Sequence, residues 1–261
     1  MLNTLDFKNY RQLLGYTNQV DLKDFLSAKD IKSEINYTYL DELNKRLKDI
    51  VFSLNKIVHQ TIKTTNLDIF ISKYIEETYT ALKDNHIIPR LNNLGRRPEQ
   101  VYFSWMRGAI ISQFFTKALS QIFSVPTDKI RIIGNDRIDD IENFKKQPTA
   151  DLEINLDGKR IQIEMQSGYQ GINDIKEHKV RQAKRQYQEN GLHSVAIHFD
   201  LFNGQVAFVN ISKIPDNDIN WITRQQMEGQ TVFNIDQRYF VWRLTDKPPP
   251  LQDIKECIFV S

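Results

Sequence analysis

The chain has little cysteine, little net charge and no long apolar run, and each shortage excludes a class of protein. Its single cysteine among 261 residues, Cys257, rules out an intramolecular disulfide. Lys and Arg number 35 against 33 Asp and Glu, so the net charge is only +2 and any nucleic-acid surface must arise from local clustering. A run of about 18 apolar residues, the minimum for a membrane helix, is missing, and so is a secretory signal. We therefore expect a cytoplasmic protein.

Signatures of several cofactor-dependent enzymes are also missing. The sequence contains no HExxH, no paired CxxC and no other spacing typical of a zinc site. It has no GxGxxG or Walker A loop, which argues against an ATP-driven enzyme. His198 lies within a predicted strand and is only a weak site candidate. Hydrophobic residues make up 40% of the chain, enough for a substantial core.

Apolar periodicity divides the chain into two regions. Residues 40–62 and 71–82 repeat apolar side chains at three- and four-residue steps, which predicts two amphipathic helices. Pro98 fits the first position of a third, largely buried helix. We therefore predict a helical N-terminal region over 1–95 and an α/β core with C-terminal accessory elements over 96–261.

The second region alternates strands and helices. Residues 129–134, 149–156 and 159–166 predict three successive strands, and 173–190 predict a polar helix. Residues 194–201 and 205–212 predict two more strands. The short apolar runs 239–244 and 257–260 are interpreted as late strands. This order predicts a mixed α/β fold.

The hairpin over 149–166 carries an acidic face. Asp157-Gly158 predicts a two-residue type I′ turn, and counting back from it places Asp151 opposite Glu164. Alternation then puts Leu152 and Ile163 on an apolar face and Glu153 on the acidic one. Opposed like charges are destabilising, and a divalent cation would convert them into a binding site. The alternative is a solvated sheet face whose charges are merely exposed.

The acidic positions and the order of elements resemble the PD-(D/E)XK nuclease superfamily, over roughly residues 98–212. The matching residues are Pro148-Thr149-Ala150-Asp151, followed by Glu164-Met165-Gln166. An acid-x-glutamine ending is similar to a variant among type II restriction endonucleases and in a transposase-associated nuclease group. The resemblance implies a mixed sheet with α-β-β-β-α-β order. It also implies that Asp151 and Glu164 bind Mg²⁺ while Gln166, in place of the usual lysine, orients the attacking water.

Further residues are assigned accessory roles by the same resemblance. Glu153 would serve a second metal or lie on the rim, and Glu99 would join the site from the first core helix. Lys179 or Lys176 would replace the charge of the missing lysine. The alternative for each is an ordinary surface or structural residue.

Contacts to DNA are expected from the helix after the hairpin and from a polar segment near residue 220. The first group would touch phosphates and the second would read base edges, as Arg, Asn and Gln do in the major groove. The predicted contact residues are Lys176, Arg181, Lys184, Asn217, Arg224, Gln225 and Gln226.

The most specific interpretation is a Mg²⁺-dependent type II restriction endonuclease that acts on double-stranded DNA as a homodimer. A second interpretation is another nuclease of the same superfamily, transposase-associated or in repair. A third is a catalytically inactive DNA-binding module on that fold, which the glutamine at position 166 would favour.

Overall fold

A computed structural model describes most of the chain. The described residues are 3–28, 30–31, 34–91, 96–133, 151–156, 158–224 and 229–259. Several predictions lie outside these ranges: the segment 148–150, the turn residue Asp157, and Gln225 and Gln226. None of the helices in the described ranges is long and apolar enough to cross a membrane.

Helices precede the sheet and then flank it. They are α1 (Thr4–Leu13), α2 (Gln19–Leu26), α3 (Tyr37–Ile57), α4 (Leu67–Ile71), α5 (Glu77–Asp84), α6 (Pro98–Phe123), α7 (Glu177–Asn190) and α8 (Leu251–Phe259). The π-helical turn Ser72–Glu76 joins α4 to α5. Asn36 caps α3 by accepting a hydrogen bond from the backbone N–H of Tyr39. The helix start at Pro98 is confirmed. The predicted helix over 40–62 is confirmed only as far as Ile57, because Val58 adopts an extended backbone conformation that ends α3. The predicted helix over 71–82 is observed as the π-helical turn followed by α5.

Nine strands in the described residues form two sheets. They are β1 (Arg131–Ile132), β2 (Leu152–Leu156), β3 (Lys159–Gly168), β4 (Asp174–Lys176), β5 (His193–Asp200), β6 (Gln205–Asn210), β7 (Trp221–Arg224), β8 (Gln230–Asn234) and β9 (Phe240–Arg243). The larger sheet has the order β1-β2-β3-β5-β6-β9, in which β3 and β5 are parallel and the other pairs antiparallel. The smaller sheet has the order β4-β8-β7. The mixed α/β class is thereby confirmed.

The β2–β3 hairpin has the predicted register from Leu152 to Leu156, and the predicted Asp151–Glu164 pair lies just beyond the observed ladder. Leu152 pairs with Ile163 and Glu153 with Gln162. Gly158 has a φ of +80°, a left-handed conformation that favours glycine in a tight hairpin. The alternation of side chains therefore places the apolar residues of the hairpin on one face and the acidic residues on the other.

The apolar face packs on α6. One core cluster joins residues of α3 to α6 with β2, β3, β5 and β6. Within it the rings of Phe115 on α6 and Phe199 on β5 stack with centroids 4.3 Å apart. This core contains residues from both sides of position 95. The division of the chain into two regions at that position stays a prediction.

One predicted element is wrong and another is shorter than expected. Residues 257–260 were expected as a strand, but residues 251–259 form α8, which buries Ile254 and Ile258 at helical spacing. The predicted helix over 173–190 begins only at Glu177, because Ile175 pairs with Phe233 in the smaller sheet. Strand β8, which supplies that partner, lies in a polar segment with only weak periodicity.

Candidate functional site

The acidic face of the larger sheet is covered rather than solvated. Helix α7 and the smaller sheet pack on it through a second apolar cluster that includes Val180, Ala183 and Phe233. On this face Glu164 is only 8% exposed, and Glu153, which lies beside Arg131 and Arg160, is only 7% exposed. Carboxylates at this depth need compensating partners, because burial of an unpaired charge is costly.

Asp151 and Glu164 meet at the end of the hairpin away from its turn. Asp151 directly precedes β2, and its backbone N–H donates to the carbonyl of Ile163 over 3.1 Å. Its side-chain Oδ2 accepts a hydrogen bond of 2.7 Å from the backbone N–H of Met165. The Asp151 carboxylate therefore lies against the peptide that joins Glu164 to Met165.

Lys179 pairs with Glu164 from the first turn of α7. Its Nζ donates to Glu164 Oε1 in a partly buried ion pair. The lysine side chain keeps 29% of its surface exposed and the glutamate 10%. An ammonium group therefore lies at the acidic site although the third motif position, Gln166, carries no charge.

Gln166 contacts a buried histidine. His198 on β5 is the ladder partner of Gln166 across the parallel β3–β5 pair. Its Nδ1 lies 3.4 Å from Gln166 Oε1, and its Nε2 lies 2.7 Å from Asn173 Oδ1. Burial lowers the pKa of His198 to about 4, although Asp200 and Asp174 oppose this shift. The ring is therefore neutral near pH 7.

The two accessory acids have other partners. Glu153 accepts from Arg131 over 3.2 Å and from Arg160 over 2.9 Å. Glu99 is fully buried and accepts from the backbone of Asn36 and the guanidinium of Arg97, each at 2.8 Å. The metal-binding roles suggested for Glu153 and Glu99 stay predictions. The hydrogen bonds just described already compensate the negative charges of these two carboxylates.

The predicted phosphate contacts at α7 differ in exposure: Arg181 is exposed, whereas the side chain of Lys184 is only 19% exposed. Arg181 pairs with Glu177 one turn earlier at 2.6 Å, and Lys184 pairs with Asp216. Lys176 is exposed at the start of the helix. An ion pair on the protein surface is weak, so Arg181 can exchange its partner Glu177 for a phosphate.

The predicted base-reading residues are separated in the structure. Asn217 is exposed in the segment before β7. Arg224 at the end of β7 binds Asp174 through two hydrogen bonds of 2.8 and 3.0 Å. Its guanidinium therefore braces the smaller sheet, and its role in reading bases stays a prediction.

Asp151 and Glu164 suit a hard divalent cation. Mg²⁺ is commonly held by one or two carboxylates, with water and substrate phosphate completing its ligands. Across the described ranges, no group of three His, Cys, Asp or Glu side chains forms a larger metal cluster. The donor set therefore fits a cation that is shared with a phosphate-containing substrate better than an all-protein structural site.

The sequence patterns did not predict that His198 contacts Gln166 and Asn173. The available signal was a histidine alternating with apolar residues in β5, but a pattern along one strand does not reveal its partner strand. Comparisons of the chain with protein-family models, with curated proteins and with solved structures find no match.

Proposed function

We propose that this chain is a Mg²⁺-dependent nuclease with a PD-(D/E)XK core. The observation that carries the proposal is the grouping of Asp151, Glu164 and Lys179 at one end of a β-hairpin: the Asp151 carboxylate accepts from the N–H of the residue after Glu164, and the Lys179 ammonium pairs with Glu164. This combination can hold a divalent cation and also supply a positive charge to a phosphate. The order α6, β1, β2, β3, α7, β5 around the larger sheet supports the assignment of the core.

Each residue has a role in phosphodiester hydrolysis. Asp151 and Glu164 would hold the cation, with the Asp151 carboxylate oriented by the N–H of Met165. When bound, Mg²⁺ polarises the phosphoryl oxygen and lowers the pKa of water. Lys179 balances the buried charge of Glu164 and contributes the positive charge that Gln166 lacks. Gln166 orients the attacking water by hydrogen bonding. It does not act as a general base, because an amide does not titrate.

Sequence-specific cleavage of double-stranded DNA is the more specific part of the proposal. A type II restriction enzyme would need base contacts, and the candidates are Asn217, Arg224 and the glycine-containing segment 167–173, which continues from the end of β3. A homodimer would place one such site on each DNA strand. A non-restriction nuclease of the same superfamily would keep the cleavage residues and lose the specificity.

Cleavage of phage-length duplex DNA tests the proposal. The wild-type chain is assayed with Mg²⁺ and with EDTA, beside Glu164→Ala and the control Glu189→Ala, an exposed acid on α7. We expect cleavage that needs both Mg²⁺ and Glu164 and that survives the control substitution. Discrete fragments indicate a restriction enzyme and a smear indicates a nonspecific nuclease. Intact DNA with every metal tried rejects the nuclease and favours the inactive binding module.

A further inference from the structure

His198 lies on the same sheet face as Gln166, and amides contact both nitrogens of its ring. The ring is only 3% exposed. Asn173 Oδ1 lies 2.7 Å from Nε2, and the side-chain amide of Gln166 lies 3.4 Å from Nδ1. Gly168 makes this arrangement possible, because a Cβ at that position would come within 2.8 Å of His198 Nε2.

Acidic residues near the ring are engaged elsewhere. Asp200, on the same strand, accepts hydrogen bonds from Phe202, Asn203 and Gln205 in its own turn. Asp174, on β4, is paired with Arg224. The hydrogen-bond contacts of the ring are thus with two neutral amides, which suits a neutral imidazole.

A neutral imidazole has one N–H donor and one acceptor nitrogen. The contact to Asn173 is the shorter one, which places the N–H at Nε2 and makes Nδ1 the acceptor. An acceptor nitrogen is satisfied only by the NH₂ group of Gln166. The structure has Gln166 Oε1 facing Nδ1 at 3.4 Å, and a neutral ring cannot donate to both amide oxygens. Because the orientation of an amide is assigned from its hydrogen bonds, we turn the more weakly bound Gln166 amide round, so that its NH₂ group faces Nδ1 and its carbonyl oxygen points away from the ring.

We propose that His198 is a positioning residue that holds Gln166 with its NH₂ group on Nδ1 and its carbonyl oxygen toward the attacking water. The inference rests on the proposed nuclease function and deepens it. An attacking water must keep a lone pair for phosphorus, so it should donate its hydrogens to acceptors. A Gln166 oxygen serves that purpose, whereas an NH₂ group would occupy the lone pair.

The tautomer of His198 tests the geometry without any assay of activity. Nitrogen NMR of the ¹⁵N-labelled full chain distinguishes Nε2–H from Nδ1–H, and the spectrum of His198→Phe identifies the His198 signals. We expect the Nε2–H form at pH 7. An Nδ1–H form, or a doubly protonated ring, overturns the inference even if the chain cleaves DNA.

A pair of substitutions tests the consequence for cleavage. His198→Phe keeps the ring volume but removes both nitrogens, and we expect kcat to fall about tenfold or more while KM for DNA is unchanged. Adding Gln166→Glu should restore most of the loss, because a carboxylate presents an acceptor oxygen in either orientation. A purely structural histidine would not be rescued in this way. Gly168→Ala, which displaces the ring, should reproduce the His198→Phe defect.

His193→Phe, on the same strand but away from Gln166, is the matched control and should leave kcat unchanged. If the wild-type chain cleaves DNA but His198→Phe has no effect, or if Gln166→Glu does not rescue it, the positioning role is overturned. The proposed nuclease function is then unaffected. A wild-type chain that cleaves nothing overturns the proposed function, and the water-positioning role with it, whichever tautomer is found.

Discussion

Lys179 brings a positive charge to Glu164 from a different element of the chain. The third position of the motif is Gln166, which has no charge, yet an ammonium reaches Glu164 from a residue 15 positions away from it. In the absence of a cation this ion pair offsets the cost of burying the carboxylate. In the proposed reaction the same ammonium can stabilise negative charge on phosphate.

Substitution of Lys179 tests that role at the residue scale. Lys179→Met should reduce kcat about 100-fold, because loss of a preorganised positive donor has effects of that order. The measurement is single-turnover cleavage at saturating DNA and Mg²⁺. Lys176→Met is the comparison, because the exposed Lys176 at the end of β4 was the alternative source of this charge, and it should change kcat little. Equal losses in both variants would indicate general attraction of DNA instead.

At the scale of elements, Glu99 connects the start of α6 to the start of α3. It is fully buried and accepts from the backbone N–H of Asn36, the residue that caps α3. Burial alone raises the pKa of the Glu99 carboxyl, but hydrogen bonds from Asn36 and Arg97 outweigh it and hold the pKa below its ordinary value. This tie fixes two helices of the core relative to each other.

The pH dependence of stability follows from this lowered pKa. A carboxyl whose pKa is lower in the folded state stabilises the fold above its unfolded pKa, and the contribution disappears as pH falls through the folded pKa. Glu99→Gln should therefore cost about 1 kcal/mol at pH 7, and the difference from wild type should shrink below about pH 4. Urea unfolding across this pH range is the measurement, with exposed Glu77→Gln as the control. A difference that does not vary with pH would assign the effect to packing alone.

On the scale of the whole molecule, helix α6 holds the two regions together. Tyr102 is fully buried and donates to Asn44 of α3 over 2.5 Å, while Phe115 on the same helix stacks on the sheet. In contrast, α1 contributes no buried residue of its own and α2 only Leu22. The helices after residue 34 are therefore part of the core, and the first two are peripheral to it.

Two truncated chains test this distinction. A chain of residues 96–261 should lose cooperative unfolding, because removal of α3 to α5 exposes the apolar side of α6 to water. A chain of residues 34–261 should keep a Tm close to that of the full chain. Thermal unfolding followed by near-ultraviolet circular dichroism compares them. Cooperative unfolding of 96–261 at the full-chain Tm would make the N-terminal region an independent unit.

What the sequence alone determined is local. A two-residue period and an Asp-Gly turn specify the hairpin register, and a 3.6-residue period with Pro98 specifies α3 and α6, because these patterns depend on neighbouring residues only. The short apolar run that begins at Cys257 covers about one helical turn, too little to show a period by itself, so it was interpreted as a strand although it belongs to α8. Tertiary structure decided the parallel pairing that brings His198 to Gln166, the approach of Lys179 to Glu164, and the small sheet that covers the acidic face. Such contacts join distant segments whose relative position depends on the packing of the whole core, so no local pattern encodes them.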